Sequence, residues 1–217
     1  MTISNNLQVI KNKIKVALQS SSRTDEITIV AATKYANVDQ INELINSGIK
    51  VIGENKVKDA IEKFNNLIND SNIEKHMIGH LQTNKVRLAV EHFNCIQSVD
   101  SIKLAKEINK HAKNQNKIMN IMIQINISGE EQKFGINPDD VETFYEQLLS
   151  LKNLKLIGLM AIAPHLKKEK TRLYFKKVKK INEKLKLQHL SMGMSSDFEV
   201  AIEQGSTMIR VGSSLFN

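Results

Sequence analysis

Lys34 closes the apolar run TIVAATK, and its position gives it a chemistry. An ammonium at the end of a buried strand loses hydration, which lowers its pKa and makes the neutral amine available to condense with an aldehyde. A rim lysine that simply reaches water fits the same run, so the lysine needs company. Two turns near the end of the chain supply it. Ser191-Met192-Gly193-Met194-Ser195-Ser196 leads into the helical stretch DFEVAIEQG, so that backbone N–H groups and a helix N-terminus can hold an anion. Arg210-Val211-Gly212-Ser213-Ser214 is a second turn of small residues, in which Gly212 would let backbone come close to a ligand. Taken singly, Gly193 and Gly212 are also what ordinary tight turns require. Two such turns with their serine hydroxyls point to a phosphate, and a lysine across from them points to one ligand carrying both an aldehyde and a phosphate.

Other reactive residues are weaker candidates. His80 with Gln82, Asn84 and Lys85 reads as a polar rim; a zinc site would need His76, which on a strand lies about 13 Å away. Cys95, in the apolar stretch HFNCIQSV, reads as a buried thiol rather than a nucleophile.

The elements that must position these residues are short apolar strands, each followed by a helical stretch. EITIVAAT, IKVIGEN, KHMIGHL, CIQSVD, KIMNIMIQINIS, KLIGLMAIA, LQHLSMGMS and STMIRVGSS make eight strands. Continuous apolar strands alternating with helices form a parallel sheet covered by helices, and eight units fit a closed (β/α)8 TIM barrel. A helix over residues 6–19 precedes the first strand, and the whole of residues 1–217 reads as one domain. An open doubly wound sheet would call for a glycine-rich loop after the first strand, where this chain has AATKYANV. Helix starts are predicted at Asp100 or Ser101, at Asn137-Pro138 and near Asp39. The lysine-rich segment 166–186 is predicted to be an amphipathic helix with Leu173, Val178, Ile181 and Leu185 inward. On a parallel barrel, function gathers at the C-terminal strand ends, here Lys34, Glu54, Asn55, His80, Ser98, Asp100, Asn126, Ser128, Glu130, Met160, His165 and the two late turns.

Composition narrows the classes. The 217 residues carry 41% hydrophobic and 25% charged side chains, as an ordinary globular protein does. No apolar run is long enough for a membrane helix and no signal peptide is recognisable, so a cytoplasmic protein is expected. The net charge of +8 raises a nucleic-acid partner, but the lysines are spread along the chain. With no Trp and 5% aromatics there is no stacking platform for single strands, and no nucleic acid or membrane partner is expected.

The segments AATKYANVDQINELINSGIKVIGENKVKDAIEKF, HMIGHLQTNKVR, IQSVDSIKLA, IQINISGEEQKFGI, LIGLMAIAP and LSMGMSSDFEVAIEQGSTMIRVGSSLF resemble the pyridoxal phosphate homeostasis proteins. These are single-domain relatives of the alanine racemase N-terminal barrel. The resemblance implies pyridoxal 5'-phosphate (PLP) held as an internal aldimine on Lys34, with Ser195, Gly212 and Ser213 on the phosphate and Arg210 facing the pyridine nitrogen. An arginine there keeps that nitrogen unprotonated and weakens the ring as an electron sink. Asn55 and Met192 or Met194 are expected beside the ring, while Lys85 and Lys133 would attract anions near the barrel top. The chain departs from the family at its end, Leu215-Phe216-Asn217, where a Phe-Gly and a short tail are usual. Thr33 and Ser213 stand where Ser and Thr are common, each retaining a hydroxyl.

The expected role is a PLP carrier or buffer, monomeric, meeting PLP-dependent apo-enzymes transiently and without a catalytic cycle. Racemases add a C-terminal β-domain and a partner tyrosine as second acid/base, and neither is expected here. The alternative is a small PLP-dependent racemase or lyase with Tyr35, His80 or His165 as second base; a basic RNA-associated module rests on charge alone.

Overall fold

All eight apolar runs become strands, each paired in parallel with its chain neighbour, and the last pairs with the first to close a barrel in the computed structural model. The structure describes residues 2–68, 70–130, 132–164 and 166–216. The strands are β1 (Thr28–Ala32), β2 (Val51–Glu54), β3 (Glu74–Met77), β4 (Cys95–Val99), β5 (Met119–Ile125), β6 (Leu154–Ala161), β7 (His189–Met194) and β8 (Met208–Val211). Around them run α1 (Ile3–Ser20), α2 (Val38–Asn46), α3 (Val57–Phe64), α4 (Val86–His92), α5 (Ile102–Asn114), α6 (Val141–Leu148), α7 (Lys168–Leu185), α8 (Phe198–Glu203) and α9 (Ser213–Phe216).

The eighth unit ends in a helix of only four residues, too short to cover its strands. The N-terminal helix makes up the ring: α1 packs against α2, α8 and α9, and buried Asn6 donates from Nδ2 to the Leu215 carbonyl at 3.0 Å. Ile3, Leu7, Ile10, Ile14 and Ala17 form its buried stripe at helical spacing.

Two helices differ from the expected detail. The start of α2 is set by Asn37, whose side chain accepts from Gln40 N while Gln40 reaches back to Asn37 N; Asp39 lies inside the first turn. In α7 the inward face is Thr171, Phe175 and Val178, with Ile181 and Leu185 partly buried, whereas Leu173 is exposed. A stripe through 171, 175 and 178 leaves position 173 roughly opposite it. The expected start at Ser101 is present, with its hydroxyl accepting from Leu104 N.

The apolar interior divides in two. The large layer lies between the sheet and the helices, and a smaller cluster of Val30, Val51, Ile78, Cys95, Met122, Met160 and Met208 lies inside the barrel. Cys95 is a fully buried thiol whose pKa burial pushes far up, matching the inert reading. Among the described residues no helix is long and apolar enough to cross a membrane.

Candidate functional site

Lys34 sits in the turn that follows β1, held from below by a buried polar knot. Thr33 is fully buried; its N–H donates to the Gly53 carbonyl at 3.0 Å and its hydroxyl to Glu54 Oε1 at 2.7 Å. Lys63, from α3, reaches under the turn and donates to Glu54 Oε1 at 2.9 Å and to the Thr33 carbonyl at 2.7 Å. Lys34 itself is exposed, with Nζ 4.6 Å from the centroid of the exposed Tyr35 ring. The burial expected at the strand end belongs to Thr33 and stops there, which leaves Lys34 at the surface.

The phosphate turns are next to this lysine rather than across the barrel from it. β1 pairs with β8, Val30 opposite Arg210 and Ala31 opposite Val211, so closure puts the lysine strand beside the arginine strand. Gly212 backs onto β1: a Cβ there would lie 3.1 Å from the Ala32 carbonyl oxygen. Its small size serves that strand contact. Ser195 Oγ accepts from Gly212 N at 3.3 Å and from Ser214 N at 3.3 Å, and lies 3.1 Å from Ser214 Oγ. These are long bonds for strong donors, which leaves N–H and O–H groups gathered where an anion could take over. Ser213, at the first position of α9, is exposed, and Ser214 is the hydroxyl drawn into the group.

Gly193 has a packing reason. Its φ is +91°, and a Cβ would lie 2.5 Å from Ala201 Cβ and 2.8 Å from Phe198 Cα, because α8 packs directly onto the end of β7. Gly193→Ala is expected to cost roughly 2–4 kcal/mol from strain and overpacking together. A urea midpoint equal to that of the unsubstituted protein would show that the helix does not press on this strand.

Arg210 is a buried cation on β8, 5% exposed. NH1 donates to the Ser191 carbonyl at 2.8 Å and to Ser191 Oγ at 2.7 Å; NH2 donates to the Ala161 carbonyl at 2.8 Å. Burial pulls its pKa down to about 10, opposed by the Asp197 carboxylate, so it remains a cation at neutral pH. A guanidinium has five N–H donors, and Nε–H and one NH2 hydrogen remain beyond the three bonds named.

The rest of the predicted rim divides. Asn55 is exposed at the end of β2, with Gly79 pressed on its backbone; a Cβ at Gly79 would lie 2.4 Å from the Asn55 carbonyl oxygen. His80 stacks on Phe134 with ring centroids 3.7 Å apart and pairs through Nδ1 with Asp100 Oδ2 at 3.2 Å. Burial raises the Asp100 carboxyl above the ordinary range, and the adjacent His80 opposes this. Lys133 pairs with Glu130 in the loop after β5, and Lys85 ends a short 3₁₀ turn before α4. Met192 does not reach the mouth: it is fully buried in the layer between sheet and helices, because inward Ser191 sends its strand neighbour outward. Met194, 37% exposed, is the methionine of this pair left at the surface. His165, Glu131 and Asn217 lie outside the described residues. Three residues that pattern reading passed over as a group, Ser191, Gln97 and His76, prove to be connected to Arg210. Their signal in the sequence is a polar side chain inside an otherwise apolar strand, as in CIQSV.

Residues 5–217 match the family described as alanine racemase, N-terminal domain. A pyridoxal phosphate homeostasis protein from Aquifex aeolicus is 39% identical over 218 residues, covering 97% of this chain and 95% of the relative. The chain belongs to the pyridoxal phosphate homeostasis protein family. The structure of PipY from Synechococcus elongatus PCC7942 with PLP bound superposes with a TM-score of 0.88 at 32% identity, each chain covered completely. An alanine racemase from Clostridium difficile 630 shares the barrel alone: TM-score 0.75, 16% identity, with 98% of this chain aligned to 56% of that one. Family membership and the closed parallel barrel therefore agree with the expected alanine racemase-type (β/α)8 fold preceded by a helix.

Proposed function

We propose that this protein binds PLP covalently through Lys34 and serves PLP homeostasis as a carrier or buffer. The observation that carries the reading is adjacency. Lys34, Arg210 and the Ser195, Gly212 and Ser214 donors stand on three consecutive strand ends, β1, β8 and β7, at the C-terminal mouth. The donor set fits the group: loosely engaged N–H and hydroxyl donors suit a phosphate, and a buried cation with two N–H groups beyond its three bonds to described residues suits an unprotonated ring nitrogen. Bound PLP would supply an aldehyde carbon, which takes the Lys34 amine, forms C=N and releases water.

The chain's own residues favour holding over turnover. Arg210 cannot give up a proton to the ring at neutral pH, so it keeps the nitrogen a hydrogen-bond acceptor and the ring a poor electron sink. Lys34 can serve one face; of the candidate second bases, Tyr35 is exposed beside it and His80 is committed to Asp100 and stacked on Phe134. Ser195, Gly212 and Ser214 would hold the phosphate end, and Asn55 stands exposed at the rim. We further propose a monomer acting in the cytoplasm and passing PLP to apo-enzymes.

Adding PLP to purified protein is expected to produce a visible absorption band, and borohydride reduction followed by peptide mapping is expected to leave the label on Lys34. Absence of the band, or a label elsewhere, would overturn the reading.

A further inference from the structure

Inside the barrel, a line of hydrogen-bonded side chains joins Arg210 to the opposite mouth. Arg210 NH1 donates to Ser191 Oγ at 2.7 Å, and the Ser191 hydroxyl donates to Gln97 Oε1 at 2.7 Å. Gln97 Nε2 lies 2.8 Å from His76 Nδ1, and His76 Nε2 lies 3.1 Å from Glu74 Oε2. Ser191, Gln97 and His76 are each at most 1% exposed. Glu74 and His76 open on a cavity of about 1000 Å³ at the N-terminal mouth, the far side of the barrel from Lys34.

The chemistry of the two ends gives every link one direction. A guanidinium only donates and a carboxylate only accepts. Ser191 Oγ, having accepted from Arg210, sends its own proton on to Gln97 Oε1. The Gln97 NH2 then faces His76, whose Nδ1 must be the bare nitrogen, and the ring proton sits on Nε2 toward Glu74. Placing a proton on Nδ1 would force the Gln97 amide to turn over and would take away the Ser191 acceptor. Around His76 stand Glu74 on its own strand, Gln97 and Cys95 on β4, Lys155 on β6, His189 on β7 and Lys50 before β2. The line runs beside the apolar cluster inside the barrel, and a polar line through such a core is costly unless each member is satisfied.

We propose that His76, Gln97 and Ser191 are positioning residues for Arg210, fixing from the far mouth the direction in which its remaining N–H groups point at the cofactor. The proposal rests on the PLP reading above. Apolar side chains would fill the same volume at lower cost, and a network that served stability alone would not need to end on the buried guanidinium of the cofactor site.

In apo protein, nitrogen NMR is expected to show His76 as the Nε2–H tautomer, and an Nδ1–H tautomer would overturn the relay without reference to PLP. In PLP-loaded protein, His76→Leu and Ser191→Ala are each expected to move the pH midpoint of the visible band and to weaken PLP binding about tenfold. Lys34 should still take the borohydride label in both. His76→Asn, whose Oδ1 stands where Nδ1 accepted, is expected to restore the midpoint; a structural role alone would change melting temperature and leave the midpoint in place. Should His76→Leu fail to fold, Ser191→Ala carries the comparison. Unchanged midpoint and affinity in the folded variants would overturn the positioning role with the PLP reading intact. Absence of label in the unsubstituted protein would instead overturn the PLP reading, leaving the tautomer to decide the relay.

Discussion

Lys34→Ala is expected to abolish the visible band of PLP-loaded protein and to lower PLP affinity by about 100-fold or more, with stability almost unchanged. The two halves of this result have separate causes. Lys34 is exposed and its Nζ lies over the neighbouring exposed Tyr35 ring, so its removal falls among surface substitutions that shift stability by about ±0.5 kcal/mol. Binding, by contrast, would lose the covalent bond proposed for it. What would remain is the group of donors at Ser195, Gly212 and Ser214 and the Arg210 guanidinium, a set suited to holding an anion reversibly. Equilibrium dialysis with PLP, read beside a thermal melt, separates the two. A variant that kept the band would place the attachment on another lysine. A variant that melted many degrees lower would mean that the turn depends on Lys34 itself rather than on the knot beneath it.

That division between an exposed reactive group and its buried support bears on what the sequence could disclose. The barrel was legible because each strand is a short apolar run and each crossover is helical, and the closing β1–β8 pair follows once eight parallel strands are counted. Lys34, Arg210 and the serine turns were legible as residue types at strand ends. Their relative placement was not. Lys34 and Gly212 lie 178 positions apart and become neighbours only when the barrel closes, which is why the turns come out beside the lysine. Met192 was misplaced for a smaller reason: the register between β7 and β8 shifts between Ser191 and Met194, so alternation alone does not say which member of Ser191-Met192-Gly193-Met194 points inward. Leu173 shows the same limit on a helix, since a lysine-rich segment offers several apolar stripes and only packing against the sheet selects Phe175 and Val178. Gln97 and His76 were harder still, because the partner of each lies on a strand that the chain reaches much earlier or later.

The Glu54–Lys63 pair follows from the same reasoning and gives the largest expected effect on stability. Glu54 is 1% exposed, and its carboxylate is answered by Lys63 Nζ and the Thr33 hydroxyl. Lys63→Met removes the cation and leaves a buried charge with one neutral donor, a change expected to cost about 3–5 kcal/mol. It also removes the Lys63 bond to the Thr33 carbonyl at 2.7 Å and leaves that carbonyl the Ala36 N–H at 2.9 Å, so the turn carrying Lys34 is held less firmly and PLP binding is expected to weaken with it. The double variant Lys63→Met with Glu54→Leu should recover most of the lost stability, because replacing both members of a buried pair by apolar groups strands no charge. Thr33 would keep an acceptor in the Gly53 carbonyl at 3.4 Å. Affinity for PLP should return only in part, since the lysine bridge to the Thr33 carbonyl stays missing. Urea unfolding of the two variants beside PLP titrations tests both statements. A single variant that lost less than about 1 kcal/mol would show that water reaches Glu54 and that the turn is held by its backbone bonds alone.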